Sequence, residues 1–321
     1  MTRWGIISTA KINDLVLAGA AETDEVDVVA VASRDQAVAD GYAAKHGIPR
    51  AYGGYAALLA DPEIDAVYIS LPNALHCEWS INALEAGKHV LCEKPMSRRP
   101  EQLKAVFDTA ESNDRFCMEA FMWRHNPQTK RLSELVGEGA IGELRLVRAA
   151  FSFPLTDLGN VRMRPDLEGG ALMDVGSYCV SGSRLLAGEP AQVTAQQVVG
   201  VTGVDVRFAA TMSFPGDVLG HFDCAMDLPD QSALEVVGSE GSIAVRDPWH
   251  CREPGLELRR GGSIERVEID RTDSYRLELE NFGRAIRGED HPLLGREDAL
   301  GQATTIEALY RAAETGEAVE L

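Results

Sequence analysis

The chain has no Cys-x-x-Cys pair among its six cysteines and no histidine spaced to complete a zinc site with them. Cys77, Cys92, Cys117, Cys179, Cys224 and Cys251 lie far apart, mostly beside apolar residues, so buried free thiols are expected. His125 and His221 lack metal-like spacing to acids, and no metal is expected. No apolar run is long enough to cross a bilayer, and the N-terminus enters a strand without a charged n-region or an apolar h-region. A cytoplasmic location follows as the expectation. Internal repeats and low-complexity segments are absent, which removes solenoids and long disordered tails. Positive charge is scarce: 31 Lys and Arg face 50 Asp and Glu, a formal net charge of −19. Nucleic acid or an anionic membrane would be met by repulsion rather than counterion release, so neither is an expected partner. An anionic small ligand must be met by local cations and backbone N–H groups.

What is present suffices for more than one core, since 321 residues exceed an ordinary single domain. The first third alternates apolar β-type runs (4–8, 26–33, 66–70, 89–92, 116–119) with amphipathic helical stretches (15–21, 37–46, 55–59, 77–86, 100–112), the order of a parallel sheet with helices on its faces. From about Gly142 the texture turns strand-like (144–153, 193–201, 206–214, 219–226, 233–237, 257–260, 265–269), with one helical interruption near 174–186 and two closing helices, 274–287 and 296–315. The expected fold is α/β: an N-terminal Rossmann parallel-sheet domain, 1–122, then a C-terminal α+β domain, 123–321, with a large, mostly antiparallel open sheet. The closing helices are free to pack back on the first domain.

A dinucleotide fold carries G-x-G-x-x-G after its first strand, and that motif is also missing. Ser8-Thr9-Ala10-Lys11-Ile12 stands there instead. Ser8 and Ala10 are small enough to let backbone amides approach a pyrophosphate at the next helix N-terminus, and Lys11 adds charge; an ordinary tight turn is the alternative. At the end of the second strand an NAD site places Asp or Glu on the ribose 2′-hydroxyl. Ser33-Arg34 occupies that point. A hydroxyl and a guanidinium suit a 2′-phosphate, which a carboxylate would repel, so NADP is favoured over NAD.

Two further segments leave the carboxyl ends of apolar strands, the edge at which open α/β sheets bind ligands: Ser70-Leu71-Pro72-Asn73-Ala74-Leu75-His76 and His89-Val90-Leu91-Cys92-Glu93-Lys94-Pro95. With these the chain resembles the glucose-fructose oxidoreductase/inositol dehydrogenase (Gfo/Idh/MocA) family over essentially its whole length. The runs 3–10, 118–127 and 169–178 resemble a branch of that family, the NADP-dependent D-xylose 1-dehydrogenases and dimeric trans-dihydrodiol dehydrogenases. Many family members carry His where this chain has Tyr178, and the resemblance to the Tyr-bearing members implies that Tyr178 transfers the proton with Lys94 as its neighbour. The resemblance further implies a role for Glu93 on the nicotinamide ribose, with capping or pairing with Lys94 as the other reading, a place for Tyr275 near the nicotinamide, and homodimers or homotetramers formed through the C-terminal sheet.

The chemistry supports the same pair. Oxidising a carbinol needs a hydride acceptor and a base for the hydroxyl proton; a free phenol titrates near ~10 and is a poor base until a nearby ammonium favours its phenolate. Lys94 can also stabilise developing alkoxide charge. Other residues keep two readings each. Asp174 either shares a helix face with Tyr178, orienting it or a substrate hydroxyl, or caps the helix. Trp123 is core or ligand surface, and Arg124 anchors cofactor or pairs with an acid. Arg162 is a candidate grip on a polyol. His76 and Asn73 fall near the cofactor, with helix capping as the alternative for Asn73. The substrate expected is a small carbohydrate or diol. A protein that binds NADP as a sensor, without turnover, remains the competing class, and retention of both Lys94 and Tyr178 argues for an enzyme.

Overall fold

Strands and helices alternate through the first 120 residues of this computed structural model, which describes residues 1–321. They are β1 (Thr2–Ile7), α1 (Asn13–Ala20), β2 (Val26–Ala32), α2 (Gln36–His46), β3 (Arg50–Tyr52), α3 (Tyr55–Leu59), β4 (Ala66–Ile69), α4 (His76–Glu85), β5 (His89–Glu93), α5 (Pro100–Ser112) and β6 (Cys117–Ala120). There follow α6 (Pro127–Gly137), β7 (Leu144–Ser152), α7 (Ser177–Ala187), β8 (Gln192–Val199), β9 (Asp205–Phe214), β10 (Val218–Ala225), β11 (Gln231–Gly238), β12 (Gly241–Val245), β13 (Leu256–Arg260) and β14 (Ser263–Val267). The chain closes with α8 (Ser274–Ile286), α9 (Arg296–Thr315) and β15 (Val319–Glu320). By internal contacts it divides into two units, residues 1–122 with 274–300 and residues 123–273 with 301–321.

All strands of the first unit run parallel in the order β3-β2-β1-β4-β5-β6. A parallel sheet is covered on both faces, so its strands are apolar throughout rather than alternating. Every residue of β4 is buried accordingly. Local chemistry sets the helix ends: the Asp35 carboxylate accepts the Val38 amide at 3.0 Å to start α2, and Gly47 at φ +69 stops it. Pro100 opens α5, whose Leu103, Val106, Phe107 and Ala110 form the buried stripe. The helix α8 belongs to this unit because Phe282 packs on Trp4, their ring centroids 5.8 Å apart. Burying a side chain such as Phe282 contributes roughly 1.5–3 kcal/mol. Strand order reverses at β1, flanked by β2 and β4, which opens a crevice at the carboxyl ends of those strands.

The second unit is a nine-stranded sheet in the order β14-β13-β12-β11-β7-β10-β9-β8-β15, antiparallel except for the β7–β10 pair. Here the strands alternate: Val206, Phe208, Ala210, Met212 and Phe214 point inward from β9, while Arg207, Ala209 and Thr211 face solvent. Leu219, His221 and Asp223 of β10 extend the solvent face. This is the expected α/β Rossmann unit followed by a mostly antiparallel α+β unit.

Four elements escaped the sequence reading: β3, α6, β12 and β15. The signals for α6 were present, with Asn126 accepting the Gln128 amide at 3.0 Å, Pro127 in the first turn, and Thr129, Leu132 and Leu135 on the buried side. The helix expected near 174–186 also differs. It begins with a π-helical turn, Leu172–Gly176, and becomes α-helical only at Ser177. All six cysteines are free thiols, Cys77 partly exposed and the other five buried. No helix is long and apolar enough to cross a membrane.

Candidate active site

The loops that follow β1, β2 and β5 leave the carboxyl edge of the first sheet and carry Lys11, Arg34, Lys94, Arg98 and Arg99, local cations in an acidic chain. In the β1–α1 turn Ser8 holds φ 133, a region where glycine is at home. Its Oγ lies 2.7 Å from Ser70 Oγ and accepts the Ala10 amide at 3.1 Å. Asn13 locks the arrangement, donating from Nδ2 to the Ser8 carbonyl at 3.0 Å and accepting Ser70 Oγ–H at 2.6 Å. Ser8 and Ser70, singled out separately, thus meet in one network whose fully buried centre, Asn13, was overlooked. Its signal was an Asn at the start of a helix behind small residues.

Thr9, Ala10, Lys11 and Ile12 complete the turn. Ile12 holds the capping position of α1 and offers no side-chain acceptor, and the first amides of the helix, those of Asn13, Asp14 and Leu15, turn back on the carbonyls of Ala10, Lys11 and Ile12. Ser33 and the exposed Arg34 stand just beyond β2, and the neighbouring Asp35 carboxylate is committed to capping α2. These residues fit the phosphates of a dinucleotide.

After β4, Leu71 is buried, Pro72 half-buried, and Asn73 opens a 3₁₀ turn. The capping position of α4 falls to Leu75. His76 is buried with its two ring nitrogens on carbonyl oxygens, Nε2 at 2.7 Å from Leu71 and Nδ1 at 3.0 Å from Pro95. Burial lowers its pKa to about 4. At neutral pH the ring is therefore uncharged, donates to one carbonyl at a time, and ties the loop after β4 to the loop after β5.

That second loop is held from three sides. The Glu93 carboxylate accepts the Lys94 amide at 3.2 Å through Oε2 and the Tyr68 hydroxyl at 2.5 Å through Oε1. Buried Glu119 accepts the Met96 amide at 2.7 Å. The Lys94–Pro95 peptide is cis. Burial first, and Glu93 second, push the Tyr68 hydroxyl well above its usual range. The same two causes, in the same order, push the carboxyl of Glu278 well up; it stands one turn after Tyr275 on α8 and is 1% exposed. Sequence reasoning named Glu93, Lys94 and Tyr275 and missed Tyr68, Glu119 and Glu278.

In the second unit Tyr178 is the second residue of α7 and 9% exposed. Its ring meets Phe151 edge-on at 5.4 Å and lies 6.0 Å from Trp249. Trp123 is core: it is 1% exposed and edge-on to Trp249 at 5.3 Å. The Arg124 guanidinium sits 5.8 Å above the Trp123 ring and donates to Ser181 Oγ on α7 at 3.3 Å. Asp174 lies inside the π-helical turn, whose capping position is Ala171, so the N-cap reading of Asp174 is set aside. Arg162 Nε donates to Asp174 Oδ2 at 2.6 Å, bringing together two residues expected on the substrate side. The π-turn itself is a feature that recurs at functional sites.

Residues 2–121 match the oxidoreductase family with an NAD-binding Rossmann fold, and residues 129–244 match the GFO/IDH/MocA C-terminal domain. The chain belongs to the Gfo/Idh/MocA oxidoreductase family. As a member it is an enzyme, with the dinucleotide unit first. A D-xylose 1-dehydrogenase (NADP(+)) of Haloferax volcanii is 40% identical over 99% of both chains. A trans-1,2-dihydrobenzene-1,2-diol dehydrogenase of Danio rerio is 37% identical, covering 78% of this chain and 75% of its own. Among solved structures KijD10, a 3-ketoreductase of Actinomadura kijaniata in complex with NADP and TDP-benzene, shares 30% identity at a TM-score of 0.92 over 97% of each chain. The resemblance drawn from the Glu-Lys-Pro motif and its companions thus holds for the family and for the branch.

Proposed function

We propose that this protein moves a hydride between NADP and a carbinol or carbonyl carbon of a sugar or cyclic diol, in the manner of an aldose 1-dehydrogenase. The observation that carries the reading is the full-length 40% identity to a D-xylose 1-dehydrogenase (NADP(+)). Bound NADP supplies the hydride acceptor on its nicotinamide. The turn Ser8–Ile12 and the start of α1 hold the pyrophosphate, Ser33 and Arg34 the 2′-phosphate, and Leu71, Pro72 and Asn73 flank the dinucleotide. Glu93, kept in place by Tyr68, accepts the ribose hydroxyls, and Tyr275 with Arg124 completes the nicotinamide end. His76 acts on the cofactor indirectly, by fixing the loop that bears Lys94.

On the substrate, Tyr178 Oη takes the hydroxyl proton during oxidation and returns it during reduction. Lys94 Nζ donates to the same substrate oxygen and offsets the developing alkoxide charge. Asp174, oriented by Arg162, accepts a neighbouring substrate hydroxyl. A panel of aldoses and trans-dihydrodiols with NADP, followed by NADPH fluorescence, tests this directly. Lys94→Ala and Tyr178→Phe should each lower kcat by about 10²–10⁴ with cofactor affinity retained. Tight NADPH binding with no turnover across the panel would place the substrate outside aldoses and trans-dihydrodiols. The solvent face of the second sheet supports association of two or more copies through Thr211, Leu219 and His221. A purely monomeric species in sedimentation at micromolar concentration would rule that association out.

A further inference from the structure

The segment that bears Asp174 and Tyr178 starts without a cap of its own. Ala171 is the capping residue of the π-turn and has no side chain to accept a hydrogen bond. The missing acceptor comes from far along the chain. Asp205, the first residue of β9 and 4% exposed, accepts the Leu172 amide through Oδ2 at 2.7 Å. Tyr310 on α9 orients that carboxylate, donating its hydroxyl to Oδ1 at 3.0 Å.

The neighbouring glycine is shaped around this clamp. Gly170 holds φ +126, and a Cβ there would stand 2.1 Å from Asp205 Oδ1 and 3.1 Å from the Tyr310 hydroxyl. Conformation and space both demand glycine at the point where the chain passes the carboxylate. Beyond it, the Asp174 amide bonds to the Gly170 carbonyl at 3.0 Å, so the register of the π-turn is set from its capped end. A second support follows at the junction with α7, where Gln302 Nε2 donates to the Ser177 carbonyl at 2.8 Å.

We propose that Asp205, oriented by Tyr310, is a positioning residue of the proton-transfer site: it fixes the turn that sets where Asp174 and Tyr178 stand. The proposal rests on the assignment of Tyr178 as the proton-transfer group, and its test is chosen to separate the two. Asp205→Asn, Asp205→Ala and Tyr310→Phe are made in the full chain and compared with the wild type by amide exchange over residues 170–178 and by the ¹³Cζ resonance of Tyr178, assigned with Tyr178→Phe. Exchange in this segment should quicken by about tenfold or more in Asp205→Ala and less in Tyr310→Phe, and the Tyr178 resonance should move in each. Where the wild type turns over, kcat falls in the same order while the KM for NADP stays within about twofold. Should Asp205→Ala not fold, the other two variants decide. Unchanged exchange and an unmoved Tyr178 resonance in folded variants would overturn the proposal, as would faster exchange with kcat intact. A wild type without turnover on the aldose and dihydrodiol panel defeats the proposed substrate class alone, and the exchange and resonance data still decide whether Asp205 positions the turn.

Discussion

The two units solve the problem of holding polar groups in opposite ways. In the first, the central strands are buried on both faces, so polar chemistry is pushed to the carboxyl edge, where Ser8, Asn13 and Ser70 bond to one another across adjacent loops. In the second, one sheet face is open to water and the candidate residues sit on a buried turn, supported by Asp205 on a strand and Tyr310 on a helix far away in sequence. A parallel sheet gathers its site from its own loop ends; the antiparallel unit has to brace a turn from behind. The first unit should therefore keep a ligand preference that can be rewritten locally. The second should respond to changes at residues that touch no ligand.

The largest effect is expected from rewriting the first unit. Ser33→Asp with Arg34→Leu replaces the two proposed phosphate donors by an acid at the end of β2, where Asp35 is already committed to capping α2. Each charge-assisted hydrogen bond contributes about 1.5–3 kcal/mol, so with both lost the NADP:NAD ratio of catalytic efficiencies should fall by about 10²–10⁴. The kcat with the preferred cofactor should move little, since nothing in the second unit is altered. An unchanged ratio would show that the 2′-phosphate is held elsewhere and that the first unit is not locally rewritable.

The same contrast explains what could be read from the sequence. Parallel strands give continuous apolar runs, and the loops after them bring Ser8, Arg34, Ser70 and Lys94 to one edge by topology alone, so the order of the first unit was legible apart from the short edge strand β3. The alternation in β9 and β10 likewise made the open antiparallel sheet legible. Partners that meet across long separations were not. Nothing local tells that Tyr68 will bond to Glu93, that Glu278 will be buried beside that pair, or that Asp205 will cap a turn at Leu172. Gly170 falls within the family-like run 169–178, yet the reason for a glycine there, the approach of the Asp205 carboxylate, exists only in three dimensions. The π-turn was invisible because its composition is that of an α-helix.

A smaller and finer effect separates the buried acids of the two units. Burial raises the pKa of Asp205 to about 6, against the hydrogen bonds that favour its charged form, and burial also pushes that of Glu278 well above the usual carboxylate range, with Glu93 adding to it. A carboxyl whose folded pKa lies above its unfolded value binds its proton more tightly in the folded state. Its contribution to stability is complete below the unfolded value, shrinks as pH rises through the interval between the two, and is gone above the folded pKa. For Asp205 the interval runs from about 4 to about 6; for Glu278 it opens at a similar pH and continues well above. Asp205→Asn should therefore alter the slope of the melting temperature against pH only below about 6, even where loss of the cap lowers the whole curve. Glu278→Gln, which keeps the shape and cannot ionise, should leave stability near pH 5 almost unchanged and raise the melting temperature by a growing margin toward pH 8, by a few degrees for a gain on the order of 1 kcal/mol. Melting curves of the wild type and both variants from pH 4 to 8 measure this. Parallel wild-type and Glu278→Gln curves above pH 6 would mean that Glu278 finds a partner for its charge in the folded protein, and the first unit would then hold its buried acid as the second unit holds Asp205, by donors brought to it from elsewhere in the fold.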